Sequence, residues 1–86
     1  MYNINVNYEA KETVIVNFEE MMEEYPEYQD ECEEIISSVE KKFSKVVESI
    51  DEPQDYYYVI TCNNEDSAEE IEEYLEALFE ELEDSI

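Results

Sequence analysis

The chain has 86 residues and a formal net charge of −23, with 27 acidic residues against four lysines and neither arginine nor histidine. That balance excludes nucleic acid and anionic membrane surfaces as direct partners, because both repel it. At 43% hydrophobic, with eight Tyr and three Phe, the chain is also too apolar for a disordered acidic tail, and residues 1–86 read as one folded domain.

Tyr2, Ile4, Val6 and Tyr8 alternate with Asn3, Asn5 and Asn7, the period of two of a half-buried strand. After Glu9-Ala10-Lys11-Glu12, the β-branched and apolar run Thr13–Phe18 predicts a second strand, and the short polar segment between them predicts a hairpin. The turn has no glycine, which leaves its type open. Glu19–Tyr25 reads as a short helix stopped by Pro26, since the residue before a proline is pushed out of the helical region. Pro26 then suits the first turn of a new helix. From there Tyr28, Cys32, Ile35, Ile36, Val39, Phe43, Val46, Val47 and Ile50 form an apolar stripe at helical spacing, which predicts one long helix of about six turns.

Asp51-Glu52-Pro53-Gln54 reads as the end of that helix, and Tyr56–Cys62 as a strand apolar enough on both faces to lie centrally in a sheet. Asn63–Asp66 reads as a turn. Ser67 and Glu70 have the spacing of a capping box, followed by a last helix with Ile71, Tyr74, Leu75, Leu78, Phe79 and Leu82 as its buried side. The expected fold class is therefore α+β, in the order β-β-α-α-β-α. It has a three-stranded, largely antiparallel sheet packed against two longer helices, plus one short helix.

Little in this chain can carry catalysis. Histidine, the usual acid–base group near neutral pH, is missing, as are arginine and any glycine for a phosphate loop or nucleophile elbow. The expectation is a protein that is not an enzyme and carries no cofactor. Asn63-Asn64-Glu65-Asp66 is the nearest thing to a calcium loop but lacks the required glycine; it reads better as the turn into a capped helix. Asp66-Ser67-Ala68 and Asp84-Ser85-Ile86 are the only Asp-Ser pairs, and neither sits like the prosthetic serine of an acyl carrier. Cys32 and Cys62 lie among apolar neighbours and read as reduced, buried thiols, with a disulfide as the alternative. The N-terminal stretch lacks the basic start and long apolar run of a signal peptide, and no run approaches the ~20 apolar residues that cross a bilayer. A cytoplasmic protein is expected.

The acidic residues themselves remain. In the last helix Glu69, Glu70, Glu72, Glu73, Glu76, Glu80, Glu81, Glu83 and Asp84 place nine charges within sixteen residues. At ~1.5 Å rise per residue they span roughly 23 Å, about one charge per 2.5 Å. Duplex DNA carries one per ~1.7 Å of axis and a single strand one per ~3.4 Å. A second cluster runs through Glu19, Glu20, Glu23, Glu24, Glu27, Asp30, Glu31, Glu33 and Glu34. Ordinary solvated helix faces mix Glu with Lys four residues apart; here Glu69 with Glu73, Glu72 with Glu76, and Glu76 with Glu80 put like charges there, at a cost of a few tenths of a kcal/mol each. Halophilic surfaces favour Asp, whereas Glu outnumbers Asp 22 to 5. Lys41, Lys42 and Lys45 form the one local exception, a patch facing away from a basic partner or pairing with an acidic neighbour.

In size, charge and mixed α/β order the whole chain resembles the phage-borne DNA-mimic inhibitors, the small acidic anti-CRISPR and anti-restriction proteins. That class is united by electrostatics more than by motifs. The resemblance implies an inhibitor that occupies the nucleic-acid-binding groove of a CRISPR effector or restriction nuclease in the cytoplasm of an infected bacterial host. The acidic residues of the last helix and of the Glu19–Glu34 region would then take the place of phosphates. An immunity protein or antitoxin plugging one basic toxin nuclease is the second expectation, and a binder of histones or nucleoid proteins the third.

Overall fold

The computed structural model describes residues 2–7 and 9–85. Tyr8, expected at the end of the first strand, lies outside the described residues. Strands β1 (Asn3–Val6) and β2 (Thr13–Asn17) form the expected antiparallel hairpin, with Ile4 opposite Val16 and Val6 opposite Val14. Its turn manages without glycine because Asn7 folds back on the backbone. The Asn7 Oδ1 accepts the Glu9 N–H at 3.0 Å, while the Asn7 N–H donates to the Thr13 carbonyl at 2.7 Å.

Helix α1 (Glu19–Glu24) starts where the Asn17 Oδ1 accepts the Glu19 N–H at 3.0 Å, and it buries Met21 and Met22. It stops before Pro26, as the restriction on the preceding residue requires. Pro26–Tyr28 is a single 3₁₀ turn that leads into α2 (Gln29–Lys42), whose buried residues are Cys32, Ile36 and Val39.

Here the structure corrects the sequence reading. Helix α2 does not run on to Ile50: Phe43 closes it by donating to the Val39 carbonyl, and the Phe43 carbonyl then accepts both the Val46 and Val47 N–H groups at 2.9 Å. Val47–Gln54 is strand β3, so Asp51–Gln54 belongs to a strand and is no helix terminus. Val46, Val47 and Ile50 satisfy a helical stripe on paper, but β-branched residues fit a pleated surface better. Ile50 there lies opposite Ile60, and Val47 opposite Cys62. Pro53 is tolerated because β3 is an edge strand, with register shifts on either side of Ser49–Asp51.

Asp55 and Tyr56 turn the chain into β4 (Tyr57–Cys62). Tyr56 sits at φ 64°, a left-handed conformation that costs a non-glycine residue about 1 kcal/mol. It is held there by its N–H bond to the Glu52 Oε2 at 3.2 Å and by its ring against Phe18, 5.6 Å between centroids.

Four strands in the order β1-β2-β4-β3, all antiparallel, thus replace the expected three, and the element order is β-β-α-α-β-β-α. The α+β class and the central place of β4 stand. Helix α3 (Glu65–Asp84) begins two residues before Ser67, and its cap is Asn64, whose Oδ1 accepts the Ser67 N–H at 2.8 Å. Ser67 is buried in the first turn and is not the cap.

Alternation sends Val14, Val16, Ile60 and Cys62 into the core beneath the helices, where all four are buried. The opposite face of the sheet carries Asn3, Asn5, Ile15, Asn17, Val59 and Thr61, half-buried or exposed. From α3 only Ala68, Ile71, Leu75 and Phe79 join the apolar core, whereas Tyr74, Leu78 and Leu82, expected on the same side, are half-buried. An aromatic column ties the layers together. Tyr2 stacks on Phe79 at 5.2 Å, Phe79 meets Phe18 at 5.8 Å, and Phe18 stacks on Tyr58 at 5.7 Å. Each fully buried side chain of this kind contributes roughly 1.5–3 kcal/mol, which offsets the self-repulsion of the net charge.

Candidate functional site

Strands β1, β2 and β4 contain no charged residue, so the acidic residues are displaced onto the helices, the loops and the edge strand β3. Helix α3 alone holds eleven acidic residues in its 20 positions. With Ile71, Leu75 and Phe79 turned inward, Glu69, Glu73, Glu76 and Glu80 follow one another at steps of 4, 3 and 4 on the outer side, and all four are exposed. Exposed Glu65 and half-buried Glu72 and Glu83 flank this row.

Strand β1 runs beside the ridge. At one end Val6 and Lys11 share a cleft with Glu65, Glu69, Glu72 and Glu73. At the other end lies Tyr2, whose phenol is held above its usual range first by burial and then by the carboxylates of Glu83, Glu80 and Glu76. Tyr2 also borders an open cleft of about 330 Å³ that it shares with Asn3, Asn17 and three exposed residues of α1, namely Glu19, Glu20 and Glu23. Tyr2 therefore stands between the carboxylate ridge of α3 and three glutamates of α1, so that two acidic segments some fifty residues apart in sequence border the same side chain.

The acidic residues of α2 are placed differently. Glu31 and Glu34 face Glu81 across a shallow trough between α2 and α3, on the flank away from β1. Glu33 lies towards Tyr58 and, with Glu52, raises that phenol; burial is the largest cause, and the value is pushed up to about 12. Glu24, Asp30, Glu70 and Asp84 are exposed and line neither cleft nor trough. The sequence clusters are thus regrouped: Glu19, Glu20 and Glu23 join the last helix, while Glu31 joins its other side. Lys41 and Lys42 close α2, with the Lys42 Nζ 4.5 Å from the centre of the Tyr74 ring, so these lysines do not dilute the ridge.

Cys32 and Cys62 are free and buried. Burial, then Glu31 and Glu33, push the Cys32 thiol up to about 12, and its Sγ lies 3.6 Å from the Met21 Sδ. Burial and Glu48 raise Cys62. A thiol held protonated in this way is a packing group and a poor nucleophile at neutral pH. Among the described residues no group of three or more Cys, Asp and Glu side chains is placed to hold a metal ion; within Asn63–Asp66, Asn64 caps α3 and Glu65 and Asp66 lie in its first turn. Among the described residues, no helix is long and apolar enough to cross a membrane.

Tyr2 is the residue that sequence reasoning missed. It reads as an ordinary strand residue, and its role in joining α1 to α3 depends on the stacking of its ring on Phe79, which no local pattern announces. Comparison with known proteins finds no family model, no curated protein and no solved structure that matches the chain.

Proposed function

We propose that this protein is a DNA-mimic inhibitor that occupies the nucleic-acid-binding groove of a host defence nuclease, a CRISPR effector or a restriction enzyme, in the cytoplasm of an infected bacterium. The observation that carries this reading is the carboxylate ridge of α3. Glu65, Glu69, Glu72, Glu73, Glu76, Glu80 and Glu83 follow one flank of α3. They cover roughly 27 Å at ~1.5 Å per residue, about one charge per 4 Å, close to the ~3.4 Å of a single nucleic-acid strand. Glu19, Glu20 and Glu23 border Tyr2 from α1.

Such a row meets the lysines and arginines that otherwise hold phosphates. Attraction of opposite fields makes association fast, and added salt weakens it. Half-buried Tyr2 beside the carboxylates supplies an aromatic anchor of the kind that sets specificity within a charged rim.

Competition is the test. Labelled duplex DNA bound to the nuclease is titrated with the protein while fluorescence anisotropy is followed. Displacement whose midpoint rises in proportion to the DNA concentration supports the reading. A complex holding nuclease, DNA and inhibitor together rules out groove blocking, and neutralisation of one toxin nuclease with no effect on defence nucleases would favour an immunity protein instead.

A further inference from the structure

Helix α3 carries a second apolar row besides the one that packs on the sheet. Tyr74, Leu78 and Leu82 follow at steps of four residues and are half-buried on the side of α2. With Ile35 and Ser38 of α2 they floor a trough of about 470 Å³. Ile35, Tyr74 and Leu82 rest on the core beneath, while Leu78 is not among the residues packed on it. The floor is fixed in place: the Tyr74 hydroxyl donates to the Ser38 Oγ at 2.7 Å, and the Ser38 Oγ donates to the Ile35 carbonyl at 2.7 Å. Exposed carboxylates stand on both walls, Glu31 and Glu34 from α2 and Glu81 from α3. A continuous apolar strip between acidic walls differs from a leucine scattered singly over a surface.

We infer that this trough seats a basic amphipathic helix of the partner protein. Its apolar side chains lie on Leu78 and Leu82, and its lysines or arginines meet Glu31, Glu34 and Glu81. Charge selects the occupant. A second copy brings −23 of like charge to the same walls, a polynucleotide is repelled, and an uncharged helix leaves three carboxylates without partners. Geometry selects the conformation. The four-residue repeat of the floor matches apolar anchors at i and i+4 of a helix and mismatches the two-residue period of an extended chain, and paired helices present a groove that a third helix can fill. Tyr74 to Ser85 spans roughly 16 Å, room for about eleven residues of partner helix. The inference deepens the proposed function, because it rests on the target being a basic protein. It adds an apolar contact that distinguishes one basic target from another.

Two synthetic peptides of equal length and equal lysine content test it. One carries leucines at i and i+4, and the other carries serines at those positions; both are titrated by fluorescence anisotropy. The leucine peptide should bind about tenfold more tightly, from burial of its leucine side chains. It should keep that advantage at ~0.5 M salt, where the serine peptide is released. Leu78→Asn should abolish the advantage and leave the serine peptide's affinity unchanged, Leu78→Met should preserve it, and Glu34→Lys combined with Glu81→Lys should weaken both peptides. In the unsubstituted protein, amide resonances of Ile35 and Leu78 should shift with the leucine peptide only, a readout that does not depend on any variant folding. Equal affinity of the two peptides, an advantage that survives Leu78→Asn, or dimerisation of the protein through Leu78 in sedimentation would overturn the inference. Displacement of DNA is read in a separate assay. A protein that displaces DNA without preferring the leucine peptide loses the trough and keeps the ridge, and the opposite pair of results loses the ridge alone.

Discussion

The sheet and the last helix handle charge in opposite ways. Strands β1, β2 and β4 carry none at all, and β2 with β4 supplies the buried Val14, Val16, Ile60 and Cys62. Helix α3 buries Ile71, Leu75 and Phe79 along one side, keeps Tyr74, Leu78 and Leu82 half-buried on the flank facing α2, and crowds carboxylates along the flank beside β1. The two faces of α3 therefore act on stability with opposite signs: its inner side holds the fold together, and its outer side strains it through repulsion. A chain selected only for stability would relieve the outer side with lysine along its length. This one sets only Lys11 beside it, at the end near Glu65 and Glu69, and the proposed function takes the remaining carboxylates as a surface kept for a partner.

The inner side gives the largest expected effect. Phe79 touches both Tyr2 and Phe18 in the aromatic column, so Phe79→Ala should cost about 3–5 kcal/mol in urea unfolding. It should also loosen Tyr2, the link between the two acidic segments. A loss below about 1 kcal/mol would mean that the column is not what pins α3 to the sheet.

Alkaline pH probes the buried neutral groups next. Cys32 has its thiol raised from an ordinary 9.0 to about 12 by burial, then by Glu31 and Glu33. Between those values the folded chain holds a proton that the unfolded chain has released, so stability is fully present below about pH 9 and falls as pH climbs towards 12. By pH 11 the loss from this one group is on the order of 2–3 kcal/mol, and Tyr58, also raised to about 12, adds to it. Urea midpoints measured from pH 8 to 11 should slope downward, less steeply for Cys32→Ala.

Smaller effects follow at the ends and on the outer side of α3. Asn64→Ala removes the side-chain acceptor for the Ser67 N–H and should cost about 1 kcal/mol, read as a lower melting temperature. Glu76→Lys should do the reverse. It places a cation four residues from both Glu72 and Glu80 and should stabilise by a few tenths of a kcal/mol, with a gain that shrinks as salt is added. Destabilisation by Glu76→Lys would contradict the picture of a strained outer face.

Where local pattern and tertiary context agreed, the sequence was readable. The β1–β2 hairpin follows from alternation, α1 from its stop at Pro26, and α3 from its apolar spacing. The stretch from Phe43 to Gln54 was not readable, because Val46, Val47 and Ile50 fit helical spacing and strand preference alike, and a free edge of β4 decided between them. The cap of α3 slipped from Ser67 to Asn64 because Asn63, Asn64, Asp66 and Ser67 are all competent capping residues in one short run. For the site, each acidic segment was legible as a segment. Its division was not: Tyr2 draws α1 towards α3, while the trough sets Glu31 and Glu34 against Glu81, and both arrangements are products of packing. The second apolar row, with Leu78, was read as core because spacing alone does not say which of two adjacent stripes meets the sheet.

In the proposed function the arrangement of the carboxylates matters beyond net charge, and one pair of variants separates the two. Replacing Glu69, Glu73, Glu76 and Glu80 by glutamine removes four charges from the ridge, whereas replacing Glu9, Glu12, Glu48 and Asp51 by glutamine or asparagine removes four from loops and the edge strand. Both variants are titrated against a DNA-loaded defence nuclease at the same salt concentration. The ridge variant should lose displacement by at least about tenfold, as expected when several charge-assisted contacts go together, while the scattered variant should match the unsubstituted protein. Equal loss from both would show that bulk charge alone acts, and the ordered ridge would have no part in binding.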